Sequence, residues 1–253
     1  MYFQGAVAEP TPTPLPTAKP AHSAEQLNRV FPGRDAPARL AAAVAAFPGQ
    51  VVTSTSGGAQ AAVMLDLLAR TTPAVPVIFV DTGYHFAETY TYLEELRERF
   101  PELDIMAYAP SITAARLEAV HGRLWEDDLD RYGVLTKVEP MNRALTDFGA
   151  RVWLSGLRRS QSADRAHRPF AEAQGQTIKA YPILDWSDEQ VESHMADNDL
   201  PRHPLTAQGY VSIGDWHSSA PLEDGQQPED TRFGGSRREC GLHLESSVDD
   251  YRI

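Results

Sequence analysis

Short apolar, β-branched runs recur along this chain, each followed by a turn and then by a stretch with apolar residues at helical spacing. Residues 51–55 (Val51, Val52, Thr53, Ser54, Thr55) are the first such run. Ser56-Gly57-Gly58 reads as a loop, and residues 59–70 set Val63, Leu67 and Leu68 on one helical face. The unit repeats as a strand at 75–80, a turn at 81–84 and a helix at 86–100, and the alternation continues through 105–108, 113–121, 140–148 and 152–154. Strands that are apolar without interruption need cover on both faces. The expected fold is therefore α/β, a doubly wound parallel sheet with right-handed crossovers. Ligands in such sheets bind beyond the carboxyl ends of the strands, which singles out the loops at 53–58, 81–84 and 155–168.

The flanks read differently. Ser23 with Gln26 forms a capping box for a short helix that Pro32-Gly33 ends, and a second helix at 37–47 stops at Pro48-Gly49. The YFQG after Met1 resembles the remnant of a cleavable tag, and the Pro-Thr repeat over 10–20 has little to bury, so residues 1–22 are expected to be disordered. Beyond Trp186 only 187–198 patterns as a helix, and the Gly-, Pro-, Asp- and Ser-rich remainder predicts mobility. Three parts follow: 1–22, a folded domain over 23–215, and a mobile tail over 216–253. The length of 253 residues suits one sizeable α/β domain.

Charge and cysteine content exclude several functions. With 23 Lys plus Arg against 35 Asp plus Glu, a net −12, the chain cannot coat nucleic acid or an anionic membrane. No stretch approaches the ~20 apolar residues of a membrane helix. A single cysteine permits no internal disulfide and no four-cysteine metal site or cluster, which fits a reducing cytoplasm. No bound metal is expected.

The loops carry the candidate chemistry. Ser54-Thr55-Ser56-Gly57-Gly58 joins strand to helix, where glycines admit an anion and the helix start supplies N–H donors; an ordinary Ser-Gly turn reads the same. Asp81-Thr82-Gly83-Tyr84 is either a second site loop or a turn with a capping aspartate. The stretch from Ser155 to Arg165 presents Arg158, Arg159 and Arg165 within eight residues, suited to forked binding of phosphate or sulfate or else to a salt-bridged face. Cys240 lies in the polar segment Arg237-Arg238-Glu239-Cys240-Gly241-Leu242-His243. Free cysteines are usually small buried hydrophobes, but this setting favours a reactive thiolate.

These motifs, in this order, resemble the phosphoadenylyl-sulfate (PAPS) reductase family of assimilatory sulfate reduction. The likeness runs from about Gln50 to His243. It rests on the Ser-rich loop, Val80-Asp81-Thr82-Gly83-Tyr84, Lys137-Val138-Glu139-Pro140, Gly156-Leu157-Arg158-Arg159-Ser160-Gln161-Ser162, Thr231-Arg232-Phe233 and Glu239-Cys240-Gly241-Leu242-His243. The resemblance implies an adenine nucleotide alpha hydrolase-like (PP-loop) fold with the catalytic cysteine on the C-terminal tail. It implies Cys240 as the nucleophile that attacks the sulfur of an adenosine phosphosulfate and becomes S-sulfocysteine. Thioredoxin or glutaredoxin, as an external reductant, would then free sulfite.

By position in the family motifs, the implied substrate-binding residues are Ser54, Thr55, Ser56, Gly57, Val80, Lys137, Gly156, Arg158, Arg165, Arg232, Arg237 and His243. Adenylyl-sulfate reductases of the bacterial and plant type carry an iron–sulfur cluster on Cys-Cys and Cys-x-x-Cys pairs, and cluster-free enzymes that accept adenylyl sulfate also exist in the family. The corresponding stretches here, Asp130-Arg131-Tyr132-Gly133 and Gly214-Asp215-Trp216-His217-Ser218-Ser219, contain no cysteine. The resemblance thus implies the cluster-free branch that takes the 3′-phosphorylated substrate, with homodimers known among relatives. Alternatives are a cluster-free adenylyl-sulfate reductase, a PP-loop ATP pyrophosphatase, and a nucleotide-binding redox sensor. Two positions depart from the common pattern: the loop reads Ser56-Gly57-Gly58-Ala59-Gln60, and Ala220 stands where relatives often place arginine.

Overall fold

A computed structural model describes residues 20–162 and 165–233. Two helices, α1 (Pro20–Val30) and α2 (Ala36–Ala46), precede a sheet built from β1 (Val51–Thr55), β2 (Val77–Val80), β3 (Ile105–Tyr108), β4 (Val152–Leu154), β5 (Ala171–Gln174) and β6 (Thr177–Ala180). The strand order is β3-β2-β1-β4-β6-β5. All pairings are parallel except that of β5 with β6.

Alternate residues of the same strand enter different cores, as the uninterrupted apolar runs require. Val51, Val77, Phe79, Val152 and Leu154 pack on one side with α1, α2, α3 (Ala61–Thr71) and α9 (Asp188–Asp197). Val52, Ile78, Val80 and Trp153 pack on the other with Met141 and Leu145 of α8 (Glu139–Asp147). Each fully buried aliphatic side chain stabilises the fold by roughly 2 kcal/mol. The crossover helix after β2 is α4 (Ala87–Arg99), and α5 (Ala114–His121) follows β3. Among the described residues no helix is long and apolar enough to cross a membrane.

Several local expectations are corrected. Helix α1 begins at Pro20, ahead of the Ser23 capping box and inside the segment expected to be disordered. Residues 124–138, which carry no clean repeat, form α6 (Leu124–Asp127), α7 (Leu129–Gly133) and a π-helical segment (Val134–Val138). The expected mobile tail is packed as far as Phe233: Thr231 and Arg232 are buried, and Ser219 bridges Arg232. The chain leaves β1 for β2 and β3 on one side and returns to β4 on the other. The β1/β4 junction is thus the switch point where an open α/β sheet binds ligands.

Candidate active site

The carboxyl ends of β1, β2 and β4 open onto a cavity of about 330 Å³, within the ~300–1,000 Å³ typical of small-molecule sites. Ser54, Thr55 and Ser56 wall it from β1 and the following loop, Val80 from β2, and Ser155 and Gly156 from just beyond β4. Gly57 turns the loop at φ +61°, where an added Cβ would stand 3.0 Å from Thr89 Cγ2, so only glycine fits comfortably. Thr55 Oγ1 accepts from the Gly57 N–H and Ser56 Oγ from the Gly58 N–H, both at 3.3 Å. Trp153 Nε1 donates to Ser54 Oγ at 2.7 Å, which leaves the serine's own proton to be donated elsewhere. The first residues of α3 complete this wall and turn the positive end of the helix toward the cavity.

The cations reach the same cavity from three directions. Lys137 lies on the π-helical segment, whose extra residue per turn re-aims side chains relative to an α-helix. Its Nζ meets Asp215 Oδ2 at 2.5 Å, with both side chains buried. Asp215 also accepts from Thr82 Oγ1 at 2.6 Å and from Tyr132 Oη at 2.9 Å. Burial opposes ionisation of this carboxyl, but the Lys137 charge and the donated hydrogen bonds outweigh it and hold Asp215 well below the usual carboxylate range.

His217 Nε2 stands 2.9 Å from Tyr132 Oη. The phenol gives its single proton to Asp215, so the imidazole must be the donor to the phenol oxygen. Burial pushes His217 down to about 4, with Lys137 and Arg232 acting in the same direction against Asp215, so the ring is neutral near pH 7.

Arg158 is buried, and its guanidinium is engaged by Asp188 at 2.6 Å, Ser160 at 2.9 Å and Gln60 at 2.6 Å. It therefore braces the wall as well as lining it. Arg165 lines the cavity and donates to Gln161 Oε1 at 2.6 Å. Arg232 lies across Gly214, where a Cβ would come within 2.5 Å of its guanidinium nitrogens. Arg159 turns away from the cavity, donating to the Arg168 carbonyl at 2.8 Å and stacking on Phe170.

Of the residues expected from sequence, Ser54, Thr55, Ser56, Val80, Lys137, Gly156, Arg158, Arg165 and Arg232 line one cavity, with Gly57 shaping its loop. Cys240, Arg237 and His243 lie outside the described residues. Thr82, in the second loop singled out from the sequence, also lines the cavity, whereas sequence reasoning missed Asp215, Tyr132, His85, Gln60 and Trp153 as site residues. The nearest signal was the pair of cysteine-free stretches at 130–133 and 214–219, which meet here through the Tyr132 hydroxyl.

A family profile for the phosphoadenosine phosphosulfate reductase domain matches residues 50–221. The chain is 45% identical over 233 residues to the phosphoadenosine 5′-phosphosulfate reductase of Alkalilimnicola ehrlichii, covering 91% of this chain and 94% of that one. Against the enzyme of the same name from Shewanella oneidensis it is 46% identical over 224 residues, or 87% and 91% of the two chains. The crystal structure of phosphoadenylyl-sulfate reductase from Candida auris, a phosphate complex, superposes with a TM-score of 0.68 at 32% identity over 79% of this chain and 97% of that one. FMN adenylyltransferase from Candida glabrata, at 15% identity and a TM-score of 0.56 over 84% and 70% of the two chains, shares the architecture alone. With a family profile across the sheet and the cavity, and close identity along most of its length, this chain belongs to the phosphoadenosine phosphosulfate reductase family.

Proposed function

We propose that this protein reduces 3′-phosphoadenylyl sulfate to sulfite and adenosine 3′,5′-bisphosphate, working in the cytoplasm with thioredoxin or glutaredoxin as reductant. The observation that carries the reading is the convergence of the Ser-rich loop, the α3 start, Lys137, Arg165 and Arg232 on one cavity, in a chain of net charge −12. That is the placement an anion held by phosphate and sulfate oxygens requires. A relative crystallised with phosphate supports it.

The Cys240 thiolate would attack the sulfate sulfur. An S–S bond forms, the sulfur–oxygen bond to the 5′-phosphate breaks, and the bisphosphate departs with that electron pair. Both reactants are anionic, so cations must offset their repulsion and stabilise the leaving phosphate. Lys137 and Arg165 are suited to the phosphosulfate, and Arg232, together with Arg237 and His243, to the sulfate that Cys240 would attack. A reductant thiolate then attacks the Cys240 sulfur and sulfite leaves with the bonding pair. The second thiol of the reductant resolves the mixed disulfide, returning Cys240 reduced and leaving the reductant oxidised.

The test is a kinetic comparison of the 3′-phosphorylated and unphosphorylated adenylyl sulfates with Cys240→Ser as control. The expected result is a higher kcat/KM for the phosphorylated substrate and no sulfite from the variant. Preference for the unphosphorylated substrate would assign the chain to the other cluster-free activity, and undiminished turnover by Cys240→Ser would remove the thiol mechanism.

A further inference from the structure

We infer that Asp215 is a positioning residue that holds the Lys137 ammonium, and through its own loop Arg232, in the anion-binding wall of the cavity. This rests on the reading of that cavity as the adenylyl-sulfate site. Among the described residues Asp215 is the one ionic partner of Lys137, at 2.5 Å, and both line the cavity. Its carboxylate ties together three elements: the loop after β2 through Thr82, α7 through Tyr132, and the π-helical segment through Lys137.

The backbone of Asp215 extends the arrangement to the second cation. Its carbonyl accepts from Ser218 Oγ and Ser219 Oγ, both at 3.1 Å. Ser219 bridges Arg232, and Arg232 Nη2 donates to Ser218 Oγ at 3.4 Å. A carboxylate in the wall of an anion site repels the ligand, so any benefit from Asp215 must come through the cations it fixes. A lysine side chain gives up rotamer freedom when it is immobilised. Asp215 meets that cost before the ligand arrives, which leaves the remaining ammonium donors pre-aimed.

The test is a double-mutant cycle on the full-length protein, read as the Kd of adenosine 3′,5′-bisphosphate by calorimetry and as kcat/KM for sulfite release. Asp215→Asn keeps shape without charge, and Asp215→Glu keeps charge in a longer side chain. With Lys137 present, Asp215→Asn should weaken binding about tenfold or more, whereas in the Lys137→Met background it should change Kd by less than about threefold. Asp215→Glu should retain more affinity than Asp215→Asn even if it is the less stable of the two.

Should Asp215→Asn fail to fold, Tyr132→Phe and Thr82→Val each remove one hydrogen bond to the carboxylate while leaving its charge, together with the bond that hydroxyl accepts from His217 Nε2 or from the Tyr84 N–H. Their smaller losses should likewise vanish in the Lys137→Met background. Equal fold-losses in both backgrounds, or a better Asn than Glu variant, would overturn the inference. If losses multiply while the wild type releases sulfite, positioning falls and the function stands. If coupling is present but neither adenylyl sulfate yields sulfite, the function falls and positioning stands.

Discussion

His203 sits with no exposed surface beneath α4, its two ring nitrogens held in opposite roles. The Leu205 N–H donates to Nδ1 at 3.2 Å, so the proton must be on Nε2, 3.0 Å from Thr89 Oγ1. A second proton would set one N–H against another. Burial accordingly pushes His203 from the ordinary 6.5 down to about 4, and His217 behaves alike. The sign follows from linkage. Between pH 6.5 and about 4 the unfolded chain binds protons that the fold refuses, so these two residues make stability fall as pH is lowered through that window. Asp215 acts in the same direction but only below its ordinary value of 3.8, where an unfolded carboxyl takes up a proton and the folded one does not. Urea unfolding as a function of pH should show this decline, and His203→Gln should flatten it. An unchanged slope in that variant would remove His203 from the account.

At the scale of elements, the start of α9 braces the cavity from outside. Ser187 caps the helix through a capping box with Gln190, at 3.2 and 2.8 Å. The next residue, Asp188, holds Arg158 at 2.6 Å, and Arg158 in turn holds Gln60 at the start of α3 at 2.6 Å. Capping and bracing can be separated. Ser187→Ala should cost about 1 kcal/mol of stability and leave nucleotide affinity alone. The Asp188 side chain is 67% exposed, so the ion pair itself contributes little to stability. Asp188→Ala should nevertheless weaken the Kd of adenosine 3′,5′-bisphosphate about threefold by loosening Arg158 and Gln60. Calorimetry showing equal affinity in both variants would remove the brace.

The same scale explains what was legible in the sequence. Strands β1 and β4 stand where their runs place them, because burial on both faces leaves a near-continuous signature, and the edge strand β3 stands where its run does although only Ile105 is fully buried. Residues 124–138 join short helices through a π segment and so carry no single period. Strand β5 reads Ala-Glu-Ala-Gln and takes its partner from a turn at Gly175, without β-branched residues to announce it. Lys137 was readable as part of a motif. Asp215 was not, since its partners Tyr132 and Thr82 lie 83 and 133 residues away and only the tertiary fold brings them together.

At the scale of the whole molecule, the opposition between global and local charge organises the chemistry. Against a net charge of −12, Lys137, Arg158, Arg165 and Arg232 gather at one cavity, which is where the proposed anionic substrate would find cations. The one cysteine adds a stoichiometric constraint. A single thiol can accept one sulfonate, and no second cysteine in the chain can displace sulfite from it. Mixed with 3′-phosphoadenylyl sulfate but no dithiol protein, the enzyme should release one adenosine 3′,5′-bisphosphate per chain and stop, with one sulfonate on Cys240 visible by intact-mass spectrometry. Added thioredoxin should then discharge one sulfite per chain and restore turnover. Steady nucleotide release without any dithiol, or an equal burst from Cys240→Ser, would mean that the electrons or the nucleophile come from elsewhere. A burst that stops at one equivalent and is lost in Cys240→Ser would tie nucleotide release to the lone thiol.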